Sequence, residues 1–349
     1  FEQKQTENAL FGELGYQLTD AWQVTVGARY FNYQQDQSSR LDLPLLSGDP
    51  TGIAADVLTI DQDESGSLFK INTSYKLTPE IMLYGTVSEG YRLGGINAVP
   101  ACVLPLDPSQ NVCALPNELT FKPDKTRNHE IGIRSTWLER RLVINTDVFY
   151  VDWRDVQVGA LTVNGNEAIT VNGATAVSKG LELQFQAVLP QDLTLLGSYS
   201  YSDAQLTRDV PGLVTDNFGP HDALDGDRLP GSPQHTGSLV LQYSRPIRGD
   251  YTLRADYAVT YTGDVITKAG LRANGEKLGG YALHQASIGL GTDRWRAALY
   301  ADNLFDKYAY TGTTLDPTYL KTVDEFTLRR YQHWVIRPRQ VGLQLNISF

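Results

Sequence analysis

Apolar and polar residues alternate with a period of two along many segments of this chain of 349 residues. Near the C-terminal end, Val341, Leu343, Leu345 and Ile347 are apolar, and the residues between them are glycine, glutamine or asparagine. Residues 251–262 repeat the pattern. Because successive side chains of a strand point to opposite faces, each such segment predicts a strand with one apolar and one polar face.

About thirteen segments of this kind follow one another along the chain. Most have roughly ten residues or more, the length that a tilted strand needs to cross a lipid bilayer. No window approaches the roughly 18 unbroken apolar residues of a membrane helix. The predicted strands cover residues 7–18, 22–34, 65–77, 81–91, 126–138, 142–154, 177–188, 193–207, 234–245, 251–262, 281–291, 294–303 and 339–349.

The connections between these strands alternate between short turns and long loops. Short turns are expected at residues 19–21, 78–80, 139–141, 190–192, 248–250 and 292–293. Long loops are expected at residues 35–64, 92–125, 155–176, 208–233, 263–280 and 304–338. Short turns at one rim and long loops at the other are typical of outer-membrane barrels. The predicted fold is therefore all-β, a transmembrane antiparallel up-and-down β-barrel.

Aromatic residues cluster beside the predicted short turns and at the chain end. Amphipathic aromatic rings favour the headgroup zone of a membrane, so these residues predict an interfacial girdle at one rim. The alternative is a soluble barrel in which they are ordinary core aromatics. The predicted girdle consists of Trp22, Tyr75, Trp137, Tyr243, Tyr251, Trp295 and Phe349.

Charge and motifs exclude other classes of protein. The net charge of −10 argues against nucleic acid as a partner, because no basic patch dominates. No HExxH, P-loop or strand-linked GxGxxG motif occurs, and the five histidines are scattered. The sequence therefore predicts no enzyme, no catalytic residue, no cofactor and no resident metal.

Two groups of acidic residues in the predicted loops leave one metal open. Carboxylates that lie close together can bind calcium, which prefers oxygen ligands. The spacing matches no EF-hand, so a solvated loop is the preferred interpretation of both groups. The groups are Asp61, Asp63 and Glu64 in one loop, and Asp222, Asp225 and Asp227 in another.

The only two cysteines, Cys102 and Cys113, lie in a loop segment rich in proline and asparagine. Two cysteines can form one bridge, and a cysteine zinc site would require two further ligands at a suitable spacing. We therefore predict a disulfide that staples this loop, in an oxidising compartment.

Several stretches of the sequence resemble the C-terminal barrel of TonB-dependent outer-membrane receptors, and among them the iron-complex or siderophore receptors. The resemblance extends from Glu7 to the C-terminus, and the order of the stretches makes it specific. The stretches are YGTVSEGYRLGGIN at 84–97, FKPDKT at 121–126 followed by HEIGIR at 129–134, LVINTDVFYVDWRDV at 142–156, VSKGLEL at 177–183, ADNLFDKY at 301–308 and the segment from Arg337 to Phe349.

The resemblance implies a barrel larger than this chain. Thirteen strands are an odd number, whereas single-chain bacterial barrels use even numbers, and the plugged class has 22. We therefore expect residues 1–349 to be the C-terminal portion of one TonB-dependent receptor β-barrel domain. They would supply about 13 strands of a 22-stranded barrel, without its plug domain or energy-coupling box. Phe349 would end the closing strand and carry the membrane-assembly signal.

The function implied by the resemblance is uptake of a scarce nutrient, a ferric siderophore first of all, across the outer membrane of a Gram-negative bacterium. The implied partners are TonB, through an N-terminal region outside this chain, the ligand, outer-membrane lipid and the outer-membrane assembly machinery. A passive porin-like channel and a surface-binding barrel remain alternatives. Among transporters, vitamin B12, haem and oligosaccharides also remain open as substrates.

Candidate ligand contacts lie where a predicted strand enters the cysteine-bearing loop. Aromatic, basic and amide side chains at a loop base are suited to recognising a small ligand, so Tyr91, Arg92 and Asn97 are the candidates. A purely structural role of this segment is an equally good interpretation, because the neighbouring Gly94 and Gly95 permit a sharp exit from the strand.

Overall fold

The computed structural model describes residues 2–40, 57–106, 113–164, 167–216, 219–313, 318–323, 326–330 and 332–348. Thirteen strands form one large sheet, in which neighbours along the chain pair with each other. Numbered in chain order, these are β1 Glu2–Gln17, β2 Trp22–Arg40, β3 Val57–Thr78, β4 Ile81–Arg92, β5 Asp124–Trp137, β6 Leu142–Leu161, β7 Ala168–Leu189, β8 Leu193–Leu206, β9 His235–Arg248, β10 Tyr251–Thr262, β11 Tyr281–Gly291, β12 Trp295–Asp302 and β13 Gln340–Ile347.

Every pairing within this sheet is antiparallel. The strands therefore run up and down in sequence order, and the predicted all-β fold is confirmed. Short turns connect alternate pairs at one edge of the sheet, which we call the short-turn edge. The other connections are long and lie at the long-loop edge. Among the described residues, no helix is long and apolar enough to cross a membrane.

The short turns lie where the sequence predicts them. Glu139 and Arg140 have φ values of 55° and 67°, and Gln191 and Asp192 have values of 66° and 61°. Paired residues with positive φ twist a hairpin in the same sense as its strands, so these connections stay short. In the turn before β2, the backbone N–H and C=O of Thr19 and Trp22 bond to each other across 3.2 Å.

Two hairpins extend beyond their predicted ends. β2 and β3 pair as far as Arg40 and Val57, and β6 and β7 pair as far as Leu161 and Ala168. The predicted loops at 35–64 and 155–176 are therefore strand over much of their length. The apolar alternation fades after residue 34, whereas backbone pairing does not require apolar side chains, so the sequence pattern underestimates these strands.

The long-loop edge contains short elements of its own. Among the described residues, five two-stranded sheets lie there, formed by Gly95–Ile96 with Thr120–Phe121, Val210–Asp216 with Gly219–Ala223, Val265–Ile266 with Lys277–Leu278, Tyr310–Thr313 with His333–Val335, and Thr318–Val323 with Phe326–Arg330. Two single 3₁₀ turns span Pro116–Glu118 and Ala269–Leu271. The sequence pattern predicts loops at these positions and does not reveal these short elements.

One face of the sheet, the apolar face, presents large apolar side chains to the surroundings. Ala255, Ile288, Leu299 and Leu343 lie directly opposite one another across four strands. Ile288 and Leu299 are each 53% exposed and Leu343 is 76% exposed. An apolar surface of this extent requires an apolar partner, which a lipid bilayer provides for a barrel wall.

The predicted aromatic girdle lies along the short-turn edge. Trp22 is directly opposite Tyr75, and its indole Nε1 donates a hydrogen bond of 2.7 Å to Thr73 Oγ1. The rings of Tyr251 and Trp295 meet edge to face at 6.1 Å. Phe349 lies outside the described residues. The amphipathic rings thus border the apolar face, as the interfacial interpretation expects.

Candidate ligand-recognition edge

Two long loops at the long-loop edge are joined by charged residues. The loop between β8 and β9 supplies Asp227 and Arg228, and the loop between β10 and β11 supplies Asp264 and Arg272. The Arg228 guanidinium donates to Asp264 Oδ2 at 2.9 Å and to the Asp264 carbonyl at 2.7 Å. Arg272 Nε donates to Asp227 Oδ2, and Arg272 Nη2 donates to Asp227 Oδ1 at 3.1 Å. The two loops therefore form one unit, which we call the interlocked loops.

The electrostatics of both pairs favour the charged forms. The hydrogen bond from Arg272 holds the pKa of the Asp227 carboxyl below its usual value. The hydrogen bond from Arg228 lowers the pKa of Asp264 in the same way, assisted by the nearby charge of Lys277. Gly270 has a φ of +58°, and a Cβ there would collide with the Asp227 carboxylate, so glycine permits the close approach.

A small apolar core supports the interlocked loops from below. Its buried members come from β6, β7, β8, the hairpin at 210–223 and the loop before β11. Trp153 and Leu229 pack against it. Interior packing of this kind fixes the loops on the ends of the strands. The buried members are Val156, Ala174, Ala176, Leu206, Val210, Val214, Ala223 and Ala269.

A third loop contacts the interlocked loops through an aromatic and a charged group. His333 Nε2 lies 2.7 Å from Glu276 Oε2, and the Tyr310 ring lies 4.3 Å from the His333 ring. Tyr308 packs against Tyr310 edge to face at 5.6 Å. Aromatic rings with polar tips are common in small-ligand sites. Sequence reasoning misses this group because its members are far apart in the chain and no short motif links them.

Asn97, a predicted ligand contact, is buried, and its side chain forms hydrogen bonds with backbone groups. Its Nδ2 donates to the carbonyls of Glu118 and Thr170, each at 2.8 Å, and its Oδ1 accepts from the Thr170 N–H at 2.8 Å. The side chain is 6% exposed in a loop that also contains buried Ile96 and Val99. This geometry gives Asn97 a structural explanation, the fixing of the cysteine-bearing loop to β7.

Arg92, the second candidate, also makes contacts within the protein. Its Nε donates to Asp124 Oδ2 at 3.1 Å, and its guanidinium carbon lies 5.5 Å from the centre of the Trp153 ring. Asp124 is almost completely buried, whereas half of the Arg92 side chain is exposed. One side of the guanidinium is thus anchored, and the exposed remainder keeps Arg92 a candidate for ligand contact.

Tyr91 lies in a separate group on the opposite side of its strand end. Its ring stacks on Phe31 with centroids 3.9 Å apart, and its hydroxyl donates to Glu7 Oε1 at 3.0 Å. Arg29 Nη2 donates to the same oxygen at 2.5 Å. The three predicted contacts therefore do not converge on one point, and their role in ligand binding stays a prediction.

Cys102 and Cys113 are joined as a disulfide, with Cα atoms 4.9 Å apart. The Asn164 amide donates to the Cys113 sulfur at 2.9 Å, which brings the start of the β6–β7 connection against the bridge. Glu118 accepts from the N–H groups of Leu115 and Val163 at 2.7 and 2.9 Å. Oxidation of the two thiols in the mature protein stays a prediction with a direct chemical test.

Two of the acidic residues considered for calcium bind groups of the protein itself, and three others lie in a strand. Asp222 Oδ1 accepts from the Gly212 N–H at 3.0 Å, and Asp227 is held by Arg272. Asp61, Asp63 and Glu64 lie within β3 rather than in a loop. Across the ranges that the structure describes, no three acidic, histidine or cysteine side chains converge as a metal-binding group.

The face opposite the apolar face carries charged residues, and we call it the polar face. Lys70 pairs with Glu13 at 3.1 Å, and Arg296 with Asp256 at 3.7 Å. Asp147 and Glu182 lie directly opposite each other across β6 and β7. The Tyr84 hydroxyl donates to nearby Glu130 at 2.7 Å. Both signs of charge therefore line this face, as expected for the inner surface of a barrel.

Comparisons with known proteins place this architecture in a family. A family model described as "TonB dependent receptor-like, beta-barrel" matches residues 1–304. Among curated proteins, the metal-pseudopaline receptor CntO of Pseudomonas aeruginosa strain UCBPP-PA14 is 25% identical over 250 residues, which are 71% of this chain and 30% of that protein. The pesticin receptor of Yersinia pestis is 25% identical over 304 residues, covering 86% of this chain and 39% of that protein.

Solved structures share the fold at low sequence identity. The ferric yersiniabactin uptake receptor FyuA from Yersinia pestis superposes with a TM-score of 0.74 and 20% identity, covering 99% of this chain and 46% of that structure. The siderophore receptor PiuA from Acinetobacter baumannii gives a TM-score of 0.73 and 16% identity, with coverages of 99% and 43%.

This chain spans less than half the length of each of these relatives. The match to the family model nevertheless covers most of it, and the FyuA barrel superposes on 99% of it. The chain therefore belongs to the TonB-dependent receptor β-barrel family of the Gram-negative outer membrane.

Proposed function

We propose that this chain is part of a receptor that imports a ferric siderophore across the outer membrane, using energy passed from the inner membrane by TonB. The receptor would bind its ligand at the long-loop edge and pass it along the polar face, which would line the barrel interior. Recognition and conformational gating would suffice for this task, so no covalent chemistry is required of any residue. The proposed protein is a transporter and not an enzyme.

The observation that carries the proposal is the asymmetry of the two edges. The short-turn edge is formed by tight hairpins, whereas the long-loop edge contains loops fixed to one another by Arg228, Asp264, Asp227 and Arg272. A passive channel needs only a pore lined with polar groups. Preorganised loops above a polar face favour a binding site, because ordering a loop before binding reduces the entropic cost of association.

The names of the relatives support a siderophore or metal complex as the ligand class. The relatives include receptors described for metal-pseudopaline, ferric pyoverdine and ferrichrome, and a solved ferric yersiniabactin uptake receptor. Each of these relatives is at most 25% identical to this chain, so the individual ligand of one relative does not transfer to it. We therefore propose the ligand class and leave the individual siderophore to experiment.

We further propose that residues 1–349 form the C-terminal portion of one receptor barrel. The odd count of thirteen strands and the partial coverage of the relatives support this organisation. TonB would then act through an N-terminal region, a plug would occupy the polar interior, and the apolar face would contact outer-membrane lipid. The outer-membrane assembly machinery would insert the barrel.

Uptake of radioactive iron in the organism that carries the gene tests the proposal. Deletion of the gene should abolish growth on one ferric siderophore under iron starvation, and the intact gene should restore it. Loss of TonB should have the same effect as loss of the gene. Uptake that persists without TonB would instead support a passive channel, and unchanged growth on all ferric siderophores would favour a surface-binding barrel or import of vitamin B12, haem or an oligosaccharide.

A further inference from the structure

Strand β3 is paired on both sides over only part of its length. It pairs with β2 from Tyr75 to Val57, but its pairing with β4 ends at Lys70 and Ser88. Within the described part of the chain, residues 57–68 therefore have no strand partner on the side of β4. We call this side of residues 57–68 the free edge. At a rise of about 3.3 Å per residue, the free edge is about 40 Å long.

The separation of β3 and β4 is fixed by contacts on the polar side of the β2–β3 hairpin. The Tyr33 hydroxyl of β2 accepts a hydrogen bond from the Gly94 N–H at 3.0 Å, and Gln62 Nε2 of β3 donates to the Phe121 carbonyl at 3.0 Å. Tyr33 is completely buried, and a Cβ at Gly94 would collide with the Phe121 carbonyl. The chain that follows β4 is thus held against the polar side of the hairpin and does not pair with the free edge.

The free edge presents backbone hydrogen-bonding groups. The Phe69 N–H points to the β4 side, where it donates to the Glu89 carboxylate at 3.2 Å. Because the backbone groups of a strand alternate between its two sides, every second residue before Phe69 also points its N–H and C=O to the free edge. These residues include Asp61, Asp63, Ser65 and Ser67, all of them exposed. Backbone groups that are unpaired along a strand edge are a template for an added strand.

The free edge lies beyond the part of the sheet that faces lipid. On the apolar face, the side chains of β3 change from Ile71 and Phe69 to serine and aspartate as the strand approaches its first residue. Lysine and proline, which commonly guard an exposed edge, do not occur in residues 57–69, and the pairing of β2 with β3 contains no register shift. The free edge is therefore accessible from water and long enough to pair with another chain.

Acidic side chains on the hairpin decide which kind of strand the free edge can accept. Asp36 of β2 lies directly opposite Asp61, an arrangement of like charges that is destabilising. In all, residues 30–40 and 57–69 contain four carboxylates and one cation. A second copy of this hairpin would bring the same carboxylates against each other, whereas a strand with lysine or arginine at alternate positions would neutralise them. The charge therefore favours a cationic partner.

We infer that the free edge of β3 binds an extended, cationic peptide segment of a partner protein as an additional strand. Main-chain hydrogen bonds to the free edge supply the affinity of such a strand, and its side chains supply the specificity. Because side chains on one face of a strand recur at every second residue, alternate cations of the segment lie beside Asp61 and Asp63. The site includes none of the candidate ligand contacts and requires neither a siderophore nor TonB, so it is independent of the proposed function.

Peptide binding to the purified gene product in uncharged detergent micelles tests this inference, with fluorescence anisotropy and amide hydrogen exchange as the readouts. The probe is a labelled eight-residue peptide in which lysine and threonine alternate, and we expect it to bind and to slow exchange in residues 61–67. The same peptide with a fully N-methylated backbone keeps its charge but cannot donate hydrogen bonds, and a version with glutamate in place of lysine lacks the cations. Both should bind at least roughly 10-fold more weakly. These comparisons use unaltered protein and are independent of the folding of any variant.

Variants of the hairpin test the two contributions separately. The double variant Asp61→Asn with Asp63→Asn should bind the lysine peptide roughly 10-fold more weakly, about 3-fold for each exposed charge removed. Its control is Asp250→Asn with Asp293→Asn, which removes the same charge at the short-turn edge and should leave binding unchanged. Ser65→Pro removes a donor from the free edge and should abolish binding, whereas Ser65→Ala should bind like the parent.

Three results would overturn the inference. Equal binding of the N-methylated peptide, or unchanged exchange in residues 61–67 when the lysine peptide is bound, would show that no strand is added. Equal binding of the glutamate peptide, or equal binding by the aspartate variant and its control, would show that the partner is not selected for positive charge. Exchange in residues 61–67 that slows as the concentration of the protein alone is raised would assign the free edge to a second copy of this chain.

Discussion

Arg228 and Asp264 join two loops that follow different strands: Arg228 Nη1 lies 2.9 Å from Asp264 Oδ2, and the same guanidinium bonds to the Ser232 and Asp264 carbonyls. Only 16% of the Arg228 side chain is exposed. A single residue therefore closes its own loop and connects it to the next. Ligand recognition by these loops should depend on that connection.

Replacement of Arg228 with alanine should loosen both loops. The change removes charge-assisted hydrogen bonds from a mostly buried position, which should cost about 2 kcal/mol of local stability. Amide hydrogen exchange should accelerate in residues 224–232 and 263–270. The control is Arg245→Ala, because Arg245 and Asp192 are 3.8 Å apart and both well exposed, a pair worth less than about 0.5 kcal/mol. Equal exchange in the two variants would refute the role of Arg228.

The connection between the loops should resist mild acid. Arg272 and Arg228 hold the pKa values of Asp227 and Asp264 below their usual range, so folding favours the ionised forms. A depressed carboxyl pKa stabilises the folded loops above the unfolded value of about 3.9, and this stability is lost as pH falls through the folded value. Exchange rates in the interlocked loops should thus stay constant from pH 7 to about 5, once corrected for intrinsic chemistry, and rise below about pH 4. A rise between pH 7 and pH 5 would refute this explanation, because neither carboxyl would be taking up a proton there.

Asn97 and Tyr91 should differ in what their substitution affects. Asn97→Ala removes hydrogen bonds from one buried and two partly buried backbone groups and should cost about 2–3 kcal/mol of stability in the cysteine-bearing loop. Tyr91→Phe keeps the stacking on Phe31 and loses only one hydroxyl, while Glu7 keeps its bond to Arg29. Melting of each variant and its siderophore affinity should be measured together. Loss of affinity in Tyr91→Phe at unchanged melting temperature would assign ligand contact to Tyr91, and unchanged affinity would remove it from the candidates.

Reduction should open the cysteine-bearing loop. The bridge closes a segment with a sequence separation of 11, and a loop of that size gains about 3 kcal/mol from cross-linking in the chain-entropy model. Thiol labelling of denatured protein should find no free cysteine before reductant and two after it, with a shift in gel mobility. The Cys102→Ser, Cys113→Ser double variant is the matched control, because its mobility should not respond to reductant. Free thiols in unreduced protein would refute the bridge.

The thirteen strands of the large sheet are well predicted from the sequence, because the alternation of apolar and polar residues is a local property of each strand. Alternation in residues 251–262 or 281–291 depends only on which face meets lipid, and strands appear at both places with the same bounds. The rule fails at residues 35–40, where polar side chains continue a strand beyond the apolar band. The backbone of these residues pairs with β1 and β3, and the sequence of residues 35–40 alone does not reveal this pairing.

The contacts made by the loops could not be predicted from the sequence, and the physical reason is different. Asp227 and Arg272 are separated by 45 residues, and their contact depends on two loops folding over one apolar core. Asn97 is a second example: residue type and position at a loop base predict a ligand contact, which stays a prediction, and they do not reveal its hydrogen bonds to the carbonyls of Glu118 and Thr170. Charge and residue type indicate what a side chain can bind, and tertiary contacts decide which partner it has.

Deletion of Phe349 should impair assembly of the barrel in the outer membrane. The residue lies outside the described part of the structure, and the expectation depends on the resemblance of the closing strand to the family's assembly signal. The strand before it, β13, pairs with β12 through Leu343 and Leu345 and presents a strongly exposed apolar row. Chains that fail to insert should therefore be degraded or aggregate.

The amount of heat-modifiable, folded protein in outer-membrane fractions measures this assembly. Phe349→Trp is the matched variant, because it keeps an aromatic ring at the end of the strand and should assemble nearly as well as the parent. If the deletion inserts normally, Phe349 is not an assembly signal. If the deletion and Phe349→Trp both fail, the strand end requires phenylalanine specifically rather than any aromatic ring.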